Sequence, residues 1–213
     1  FRYYILFTTD GRNWINPEIY TLCFSFRIRQ ILFNNTGKRN MIIVIAGKYK
    51  GRKLYDFKDL HVRPTQAKVR KSVFQILEPF DGMEVLDLYA GVGTLGIEAM
   101  SRGASRAVFV EKNLQVFKVL KKNLELFDPE KYDLFLSDTL QFINRMRNQC
   151  FDIIFADPPY AEVSYNSIKE KVEKILKPGG IFCMEMKKEH IELPNARVKH
   201  YGSTQVVFWS STA

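Results

Sequence analysis

Cysteine is scarce in this chain, and its three cysteines, Cys23, Cys150 and Cys183, lie far apart in the sequence. This spacing fits neither a disulfide framework nor the closely spaced pairs that hold zinc. We therefore expect reduced thiols, a cytoplasmic location and no metal site.

Long apolar runs are also missing, and none reaches the roughly 18 uncharged residues that a membrane-spanning helix needs. Charged residues interrupt the apolar stretches near the start of the chain, which argues against a signal peptide. With 213 residues, 46% of them hydrophobic, the chain can still bury one sizeable core. These features predict one globular domain with an appendage and no membrane partner.

Acidic residues are too few to balance the basic ones, because 23 Asp and Glu stand against 32 Lys and Arg, for a net charge of +9. Excess lysine can serve solubility alone, but a polyanionic partner fits equally well. Basic residues are densest over positions 48–71, at Lys48, Lys50, Arg52, Lys53, Lys58, Arg63, Lys68, Arg70 and Lys71. The interleaved Tyr49 and Tyr55 favour contact with nucleic-acid phosphates, whereas simple solvation suits Lys58 and Lys71 better.

The first 40 residues differ from the rest of the chain. They are rich in Phe, Tyr, Ile, Asn and Arg, and they follow neither a helical nor a strand period. We interpret residues 1–40 as an atypical leader translated from a start codon set too early, with a genuine N-terminal extension as the alternative. The expected organisation is this leader, a basic RNA-gripping hairpin and helix over residues 41–80, and the main domain over residues 81–213.

The segment after residue 40 is short and well punctuated. Residues 41–46 and 52–55, joined by a basic turn, predict a β-hairpin. Apolar residues at helical spacing between Pro64 and Pro79 predict a helix over residues 64–77.

Beyond residue 82, apolar strands alternate with amphipathic helices. The predicted strands are 84–89, 106–111, 132–136, 151–156 and 179–186, and the predicted helices are 94–102, 113–127, 139–148 and 164–176. This alternation is typical of an α/β fold with a parallel sheet covered on both faces. The strands at 196–202 and 203–210 are joined only by a short turn, so we expect the sheet to end in an antiparallel hairpin.

Glycines follow the first strand of the main domain. Gly91, Gly93 and Gly96 have G-x-G-x-x-G spacing, which lets the backbone turn sharply and approach a ligand. Asp87 precedes this loop, and Glu111 ends the second strand, where a carboxylate can accept hydrogen bonds from both ribose hydroxyls. The pattern predicts a site for an adenosine-containing cofactor, NAD or S-adenosylmethionine, with a purely structural turn as the alternative.

The fourth strand ends in Asp157-Pro158-Pro159-Tyr160, at the edge where open α/β sheets bind ligands. The prolines fix the backbone, so the Asp157 carboxylate and the Pro158 carbonyl can act as neighbouring hydrogen-bond acceptors. Two acceptors suit an amino group with two hydrogens, and Tyr160 offers a face on which a base can stack. These features favour S-adenosylmethionine and methylation of an exocyclic base amine, with a helix-initiating turn capped by Asp157 as the structural alternative.

Five stretches carry a resemblance to a known family: IAGKYKGRKL, RPTQAKVRKSVFQIL, DLYAGVGTLGIEAMSRGA, FVEKN and FDIIFADPPY. From residue 41 to about residue 209 the chain resembles the bacterial small-subunit ribosomal RNA guanine-N2 methyltransferases of the RsmD type. The glycine loop and the Asp-Pro-Pro-Tyr motif occur in many amino-methyltransferases. The hairpin followed by R-P-T and a V-R helix is more specific to this family.

The resemblance implies a Rossmann-like, seven-stranded S-adenosylmethionine-dependent methyltransferase fold with a C-terminal antiparallel hairpin and a small N-terminal β-hairpin. It implies methylation of the exocyclic N2 amine of a guanine in small-subunit ribosomal RNA. The expected partner is that RNA or an assembling small ribosomal subunit, bound by a monomer. An adenine-N6 methyltransferase of RNA or DNA, and a non-catalytic cofactor-binding RNA chaperone, are the alternatives.

The predicted site residues form three groups, of which the resemblance implies the first two and the density of basic residues indicates the third. Cofactor residues are Asp87, Gly91 and Gly93 along the methionine part, Glu111 at the ribose and Asp138 at the adenine amine. Residues that hold the target guanine are Asp157, Pro158 and Tyr160. Residues expected to contact RNA are Lys48, Lys50, Arg52, Lys53, Arg63 and Arg70. The family commonly has serine where this chain has Val92.

Overall fold

A computed structural model of this protein describes residues 3–5, 42–57, 67–146, 150–158, 164–191 and 194–212. Its main sheet is built around one central strand. The strands are β1 (Tyr3–Ile5), β2 (Ile42–Ile43), β3 (Lys53–Leu54), β4 (Glu84–Leu88), β5 (Arg106–Glu111), β6 (Tyr132–Leu136), β7 (Phe151–Ala156), β8 (Leu176–Lys187), β9 (Ala196–Tyr201) and β10 (Thr204–Ser210). The helices are α1 (Ala67–Leu77), α2 (Thr94–Ser101), α3 (Leu114–Leu124), α4 (Thr139–Arg145) and α5 (Tyr165–Val172). No helix among these residues is long and apolar enough to cross a membrane.

The main sheet has the strand order β1-β6-β5-β4-β7-β8-β10-β9, in which only β10 pairs antiparallel with its neighbours. Strands β4 to β10 form the predicted seven-stranded sheet with its antiparallel C-terminal hairpin, so the predicted fold class is confirmed. An eighth strand, β1, pairs in parallel with β6, with Tyr3 opposite Leu134. It lies in the segment where the sequence indicated no strand. The rest of residues 1–40 lies outside the described residues, so the interpretation of the leader and the proposed division at residues 40 and 80 stay predictions.

Element ends differ from the predictions for local reasons. Helix α3 begins after Asn113, whose side chain accepts hydrogen bonds from the backbone N–H groups of Gln115 and Val116 at 2.9 and 3.2 Å. An acceptor at this position satisfies N–H groups that the helix itself leaves unpaired. Helix α5 ends earlier than predicted because the chain already enters the sheet at Leu176, which pairs with Phe151 of β7.

The hydrophobic core lies on both faces of β4 and its neighbours, because successive side chains of a strand point to opposite faces. Leu86 and Leu88 belong to one buried cluster with α5, and Val85 belongs to another with α1. All three are fully buried. Strand β4 is therefore covered on both faces, and the glycine loop starts directly from it.

The small hairpin of β2 and β3 is held by a buried acid of α2. Glu98 is 1% exposed, and its two carboxylate oxygens accept hydrogen bonds from the N–H groups of Ile45 at 2.7 Å and Ala46 at 3.0 Å. It also accepts one from Nε of Arg102 at 2.9 Å. Because a charged carboxylate is costly to bury unless it is fully bonded, this network fixes the hairpin against α2.

Arg70 is buried rather than on the basic surface. The residue is 3% exposed, and its Nη2 donates to the carbonyl oxygen of Ile43 at 2.7 Å. Burial lowers the pKa of the Arg70 guanidinium, and the nearby Glu98 carboxylate acts in the opposite direction. The predicted RNA contact of Arg70 is therefore wrong, because its side chain supports the hairpin from inside.

The hairpin approaches α2 so closely that only glycine fits at position 47. Gly47 has a φ of +80°, and a Cβ built there would lie 1.8 Å from the carbonyl oxygen of Ser101. Gly51 has a similar φ of +82°, but a Cβ built there would have nothing within 4 Å of it. A substitution at Gly51 therefore tests the backbone conformation alone, whereas one at Gly47 tests the conformation together with the close packing.

We expect Gly51→Ala to lower the free energy of unfolding by about 1–2 kcal/mol, the usual cost of left-handed backbone for a residue with a Cβ. Gly47→Ala should cost about 1–3 kcal/mol more, because the new methyl overpacks the contact with Ser101. Urea denaturation of the two variants measures the difference. Equal losses would contradict the close docking of the hairpin on α2.

Candidate active site

The candidate active site lies where the sheet order reverses, at the carboxyl end of β4. Leu88 of β4 pairs with Val110 of β5 on one side and with Ala156 of β7 on the other. Glu111 and Asp157 follow these two partners, so they flank the start of the loop after β4. Open α/β sheets bind their ligands at such a point.

Asp87 is a buried acid that holds the start of α2. It is 2% exposed, and its Oδ2 accepts a hydrogen bond from the N–H of Gly96 at 2.8 Å. The residue before α2 is Gly93, which has no side chain to cap the helix. Asp87 takes that role from the preceding strand, because it satisfies one of the N–H groups left unpaired in the first turn.

Burial raises the pKa of the Asp87 carboxyl well above its ordinary value, while the hydrogen bond from Gly96 acts against this rise. The negative charges of Asp157 and Glu111 raise it further. Burial also raises the pKa of Glu111. Three carboxyl groups therefore lie close enough at the end of the sheet to interact electrostatically, and a cationic ligand would stabilise their charged forms.

The three glycines of the loop have different roles. Gly91 has a φ of +56°, and a Cβ there would meet only the carbonyl oxygen of Tyr89, at 3.9 Å. A Cβ on Gly93 would lie 2.6 Å from the Leu120 side chain, and one on Gly96 would lie 2.3 Å from the Phe109 ring. Gly93 thus allows the start of α2 to pack closely on α3, and Gly96 allows α2 to pack closely on β5. Gly91 leaves open space in which a ligand can approach the backbone.

Glu111 ties the loop to β5. Its Oε2 accepts a hydrogen bond from the N–H of Gly91 at 3.0 Å, and its Oε1 accepts one from the N–H of Asn113 at 2.7 Å. The residue is 8% exposed. A carboxylate fixed in this way at the rim of the loop is oriented in advance for any hydroxyl groups placed beside it.

Asp138 lies one strand further along the same edge. It is exposed and precedes α4, where its Oδ1 accepts hydrogen bonds from the N–H groups of Leu140 and Gln141 at 2.9 and 3.1 Å. The carboxyl edge of the sheet therefore presents Asp138, Glu111, Asp87 and Asp157 at the ends of four adjacent strands. The predicted cofactor residues are brought together, and their contact with a cofactor stays a prediction.

The end of β7 supplies the groups expected to hold the target. Asp157 is half-buried and Pro158 is buried. The Asp157 charge contributes to the raised pKa of both Asp87 and Cys183, so these side chains share one electrostatic environment. Tyr160 lies outside the described residues, and its stacking role stays a prediction.

The basic hairpin and the residue after it contact α2 and α3 through Glu98, Ser101 and Asn123. Lys48, Lys50 and Lys53 are exposed. The Arg52 guanidinium donates a hydrogen bond to the carbonyl oxygen of Leu126 and lies 5.2 Å from the centre of the Tyr49 ring. Arg52 therefore has a structural contact besides any phosphate contact. Arg63 lies outside the described residues.

Sequence reasoning missed two polar residues that position the hairpin. Asn123 of α3 is fully buried and bonds the backbone of Tyr55, and Ser101 of α2 accepts a hydrogen bond from the N–H of Tyr49 at 2.9 Å. Asn123 lies between Leu120 and Leu124 on the apolar face of α3. This position was the signal in the sequence that could have identified it as a buried residue. Among the described residues, no group of His, Cys, Asp and Glu has the geometry of a metal site.

Residues 42–210 match the protein family described as Conserved hypothetical protein 95. Ribosomal RNA small subunit methyltransferase D of Buchnera aphidicola is 34% identical over 163 residues, which cover 74% of this chain and 84% of that protein. The structure of yhhF from Escherichia coli, described as a candidate methyltransferase, is 28% identical, with a TM-score of 0.72 over 81% of this chain and 99% of that chain. A structure of SMU.776 with S-adenosylhomocysteine is 15% identical, with a TM-score of 0.57 over 70% of this chain and 50% of that chain, and supports the fold alone. The resemblance seen in the sequence is thereby confirmed.

The raised pKa of Asp87 predicts a specific pH dependence of stability. A carboxyl whose pKa is higher in the folded state contributes stability below its unfolded pKa of about 4, and this contribution is lost as pH rises through the folded pKa. Asp87→Asn keeps an acceptor for Gly96 but cannot ionise. Its free energy of unfolding should therefore increase relative to the wild type as pH rises above about 4.

Urea denaturation of the ligand-free proteins at a series of pH values measures this difference. Asp87→Ala serves as the control, because it also loses the acceptor for Gly96 and should be destabilised relative to Asp87→Asn by the same amount at every pH. A difference between Asp87→Asn and wild type that stays constant with pH would contradict the assignment.

Proposed function

The chain belongs to the Conserved hypothetical protein 95 family, and on that premise we propose that it transfers a methyl group from S-adenosylmethionine to the exocyclic N2 amine of a guanine in small-subunit ribosomal RNA. The observation that carries the proposal is the position of Asp157 and Pro158. They follow β7 beside the carboxyl group of Asp87, at the carboxyl edge of the sheet. An amine-binding motif thus adjoins the glycine loop.

The site residues fit the proposed cofactor. Gly91 leaves open space beside the loop, and Asp87, Glu111 and Asp157 bring three carboxyl groups to one edge of the sheet, where a cationic ligand would favour their charged forms. S-adenosylmethionine carries a cationic sulfonium and an ammonium group, and it supplies an electrophilic methyl when bound. Glu111 would accept hydrogen bonds from the ribose, and Asp138 would accept one from the adenine amine.

The target amine needs activation, because its lone pair is delocalised into the guanine ring. The Asp157 carboxylate and the Pro158 carbonyl would each accept one of its two N–H hydrogens. This pair of bonds favours tetrahedral geometry at nitrogen and stabilises the positive charge that develops there during attack. Tyr160 would stack on the base, which must leave its own stack to enter the site.

The name of the Buchnera relative supports ribosomal RNA of the small subunit as the substrate. The exposed lysines of the hairpin supply cations that can contact the phosphates of such an RNA. Phosphate contacts of this kind position an RNA without reading its bases. The same acceptor pair could hold the N6 amine of adenine, so the identity of the methylated nucleoside separates the two activities.

Asp157→Ala should lower the methylation rate by at least about a hundredfold, the effect of losing one preorganised contact to a transition state. Binding of S-adenosylhomocysteine should persist, because the loop and Glu111 are intact. Single-turnover methylation of unmodified small-subunit RNA measures the rate, and calorimetry measures the binding. If folded Asp157→Ala methylated RNA at nearly the wild-type rate, the Asp-Pro-Pro-Tyr motif would be only a structural turn. Cofactor and RNA binding without turnover in the unaltered protein would favour the RNA-chaperone alternative.

Replacing Lys48, Lys50 and Lys53 by glutamine should weaken RNA binding and flatten its salt dependence. Each lost phosphate contact should reduce the slope of log K against log salt concentration by about 0.7–0.9. A triple variant at the exposed Lys174, Lys188 and Lys199 removes the same charge elsewhere and should keep the wild-type slope. Equal effects of both triple variants would show that net charge, rather than the hairpin, determines binding.

A further inference from the structure

Asn123 connects the glycine loop to the residue that follows the hairpin. It is fully buried in α3, and its Oδ1 accepts a hydrogen bond from the N–H of Tyr55 at 2.7 Å. Its Nδ2 donates to the carbonyl oxygens of Tyr55 at 3.0 Å and Val92 at 2.9 Å. Tyr55 directly follows the hairpin strand β3, and Val92 lies between the first two glycines of the loop.

The geometry leaves Asn123 little freedom to release one partner and keep the other. The amide binds Tyr55 through both its acceptor and its donor, as a neighbouring strand would, and this fixes the plane of the amide group. The remaining donor then points at Val92. A buried polar group that loses its partner finds no water in its place, so a shift of either segment disturbs the bond to the other.

Packing around Asn123 reinforces this link. One turn earlier in α3, the Leu120 side chain fills the space beside Gly93, where a Cβ would lie 2.6 Å away. One residue before Asn123, the Lys122 ammonium lies 3.8 Å from the centre of the Tyr55 ring. Helix α3 therefore contacts the glycine loop and the hairpin exit through adjacent side chains.

We propose that Asn123 is a positioning residue that couples the glycine loop to the hairpin, so that binding of the cofactor and binding of RNA strengthen each other. This inference rests on the proposed function, which assigns the cofactor to the loop and RNA to the hairpin. A ligand that fixes Val92 also fixes Tyr55 through one buried amide. The coupling must be reciprocal, because each ligand changes the affinity for the other by the same factor.

Ser101 provides a matched control for Asn123. Its hydroxyl accepts a hydrogen bond from the N–H of Tyr49 and donates one to the carbonyl of Ala46, so it also holds the hairpin. It stands at the last residue of α2, whereas the glycine loop precedes the first. Both Ser101→Ala and Asn123→Ala should loosen the hairpin, but only Asn123→Ala removes a bond to the loop.

The first test compares the dissociation constant of S-adenosylhomocysteine with and without saturating small-subunit ribosomal RNA transcribed in vitro. In the wild type, RNA should tighten binding at least about fivefold, the lower end of typical couplings. In Asn123→Ala this factor should fall to about one, while Ser101→Ala keeps the wild-type factor. A wild type without coupling, an unchanged factor in Asn123→Ala or an equal loss in Ser101→Ala would overturn the inference.

The second test uses only the wild-type protein and therefore does not depend on the folding of a variant. Amide hydrogen exchange, followed by NMR, is compared with and without S-adenosylhomocysteine. Exchange of the Tyr55 amide should slow at least about threefold more than that of Tyr49, because only Tyr55 bonds to Asn123. Equal changes at the two amides would overturn the inference.

Failure of the proposed function has a different signature. A wild-type protein that transfers no methyl group to the RNA refutes the function, whatever the exchange data show. A wild-type protein that methylates the RNA but shows equal exchange at Tyr49 and Tyr55 refutes only the role of Asn123. If S-adenosylhomocysteine does not bind at all, the function and the inference fall together.

Discussion

The hydrogen bond from the Gly96 amide to the buried Asp87 carboxylate is the interaction on which the site depends. Gly93 has no side chain to cap α2, so a side chain of the preceding strand takes that role across the loop. This bond pairs an N–H group in the first turn of α2 and ties the start of the helix to β4. The carboxylate lies beside the charges of Asp157 and Glu111, which add to the effect of burial in raising its pKa in the ligand-free protein. A positively charged ligand would relieve that repulsion, so the same group serves the fold and favours binding.

Helix α2 fixes the position of the β2–β3 hairpin relative to this site, because it has a buried acid contact near each end. Asp87 bonds its first turn, and Glu98, near its last turn, accepts hydrogen bonds from the N–H groups of Ile45 and Ala46. Helix α3 adds a direct connection, because the Asn123 side chain alone bonds both Tyr55 and Val92. Buried polar networks of this kind fix relative positions well only when each member is bonded. The geometry of the hairpin relative to the site is therefore built into two helices that the sheet already holds.

Much of this arrangement could be predicted from the sequence. Alternating apolar strands and amphipathic helices indicated the sheet, and the glycine spacing indicated the loop after β4. The buried polar residues were harder to predict, because their type suggests a solvent-exposed position. Arg70 was grouped with its basic neighbours, although Val73, Phe74 and Leu77 follow it at helical spacing and place it on the buried face of α1. Strand β1 is three residues long and finds its place only by pairing with β6, a partner more than a hundred residues away.

We propose that the carboxyl edge of this sheet directs a methyl group to the N2 amine of guanine. The most direct test of this proposal is nucleoside mass spectrometry of unmodified small-subunit ribosomal RNA after incubation with the protein and S-adenosylmethionine carrying an isotopically labelled methyl group. We expect labelled N2-methylguanosine, located at one nucleotide of the RNA. Labelled N6-methyladenosine in its place, or RNA without label, would contradict it.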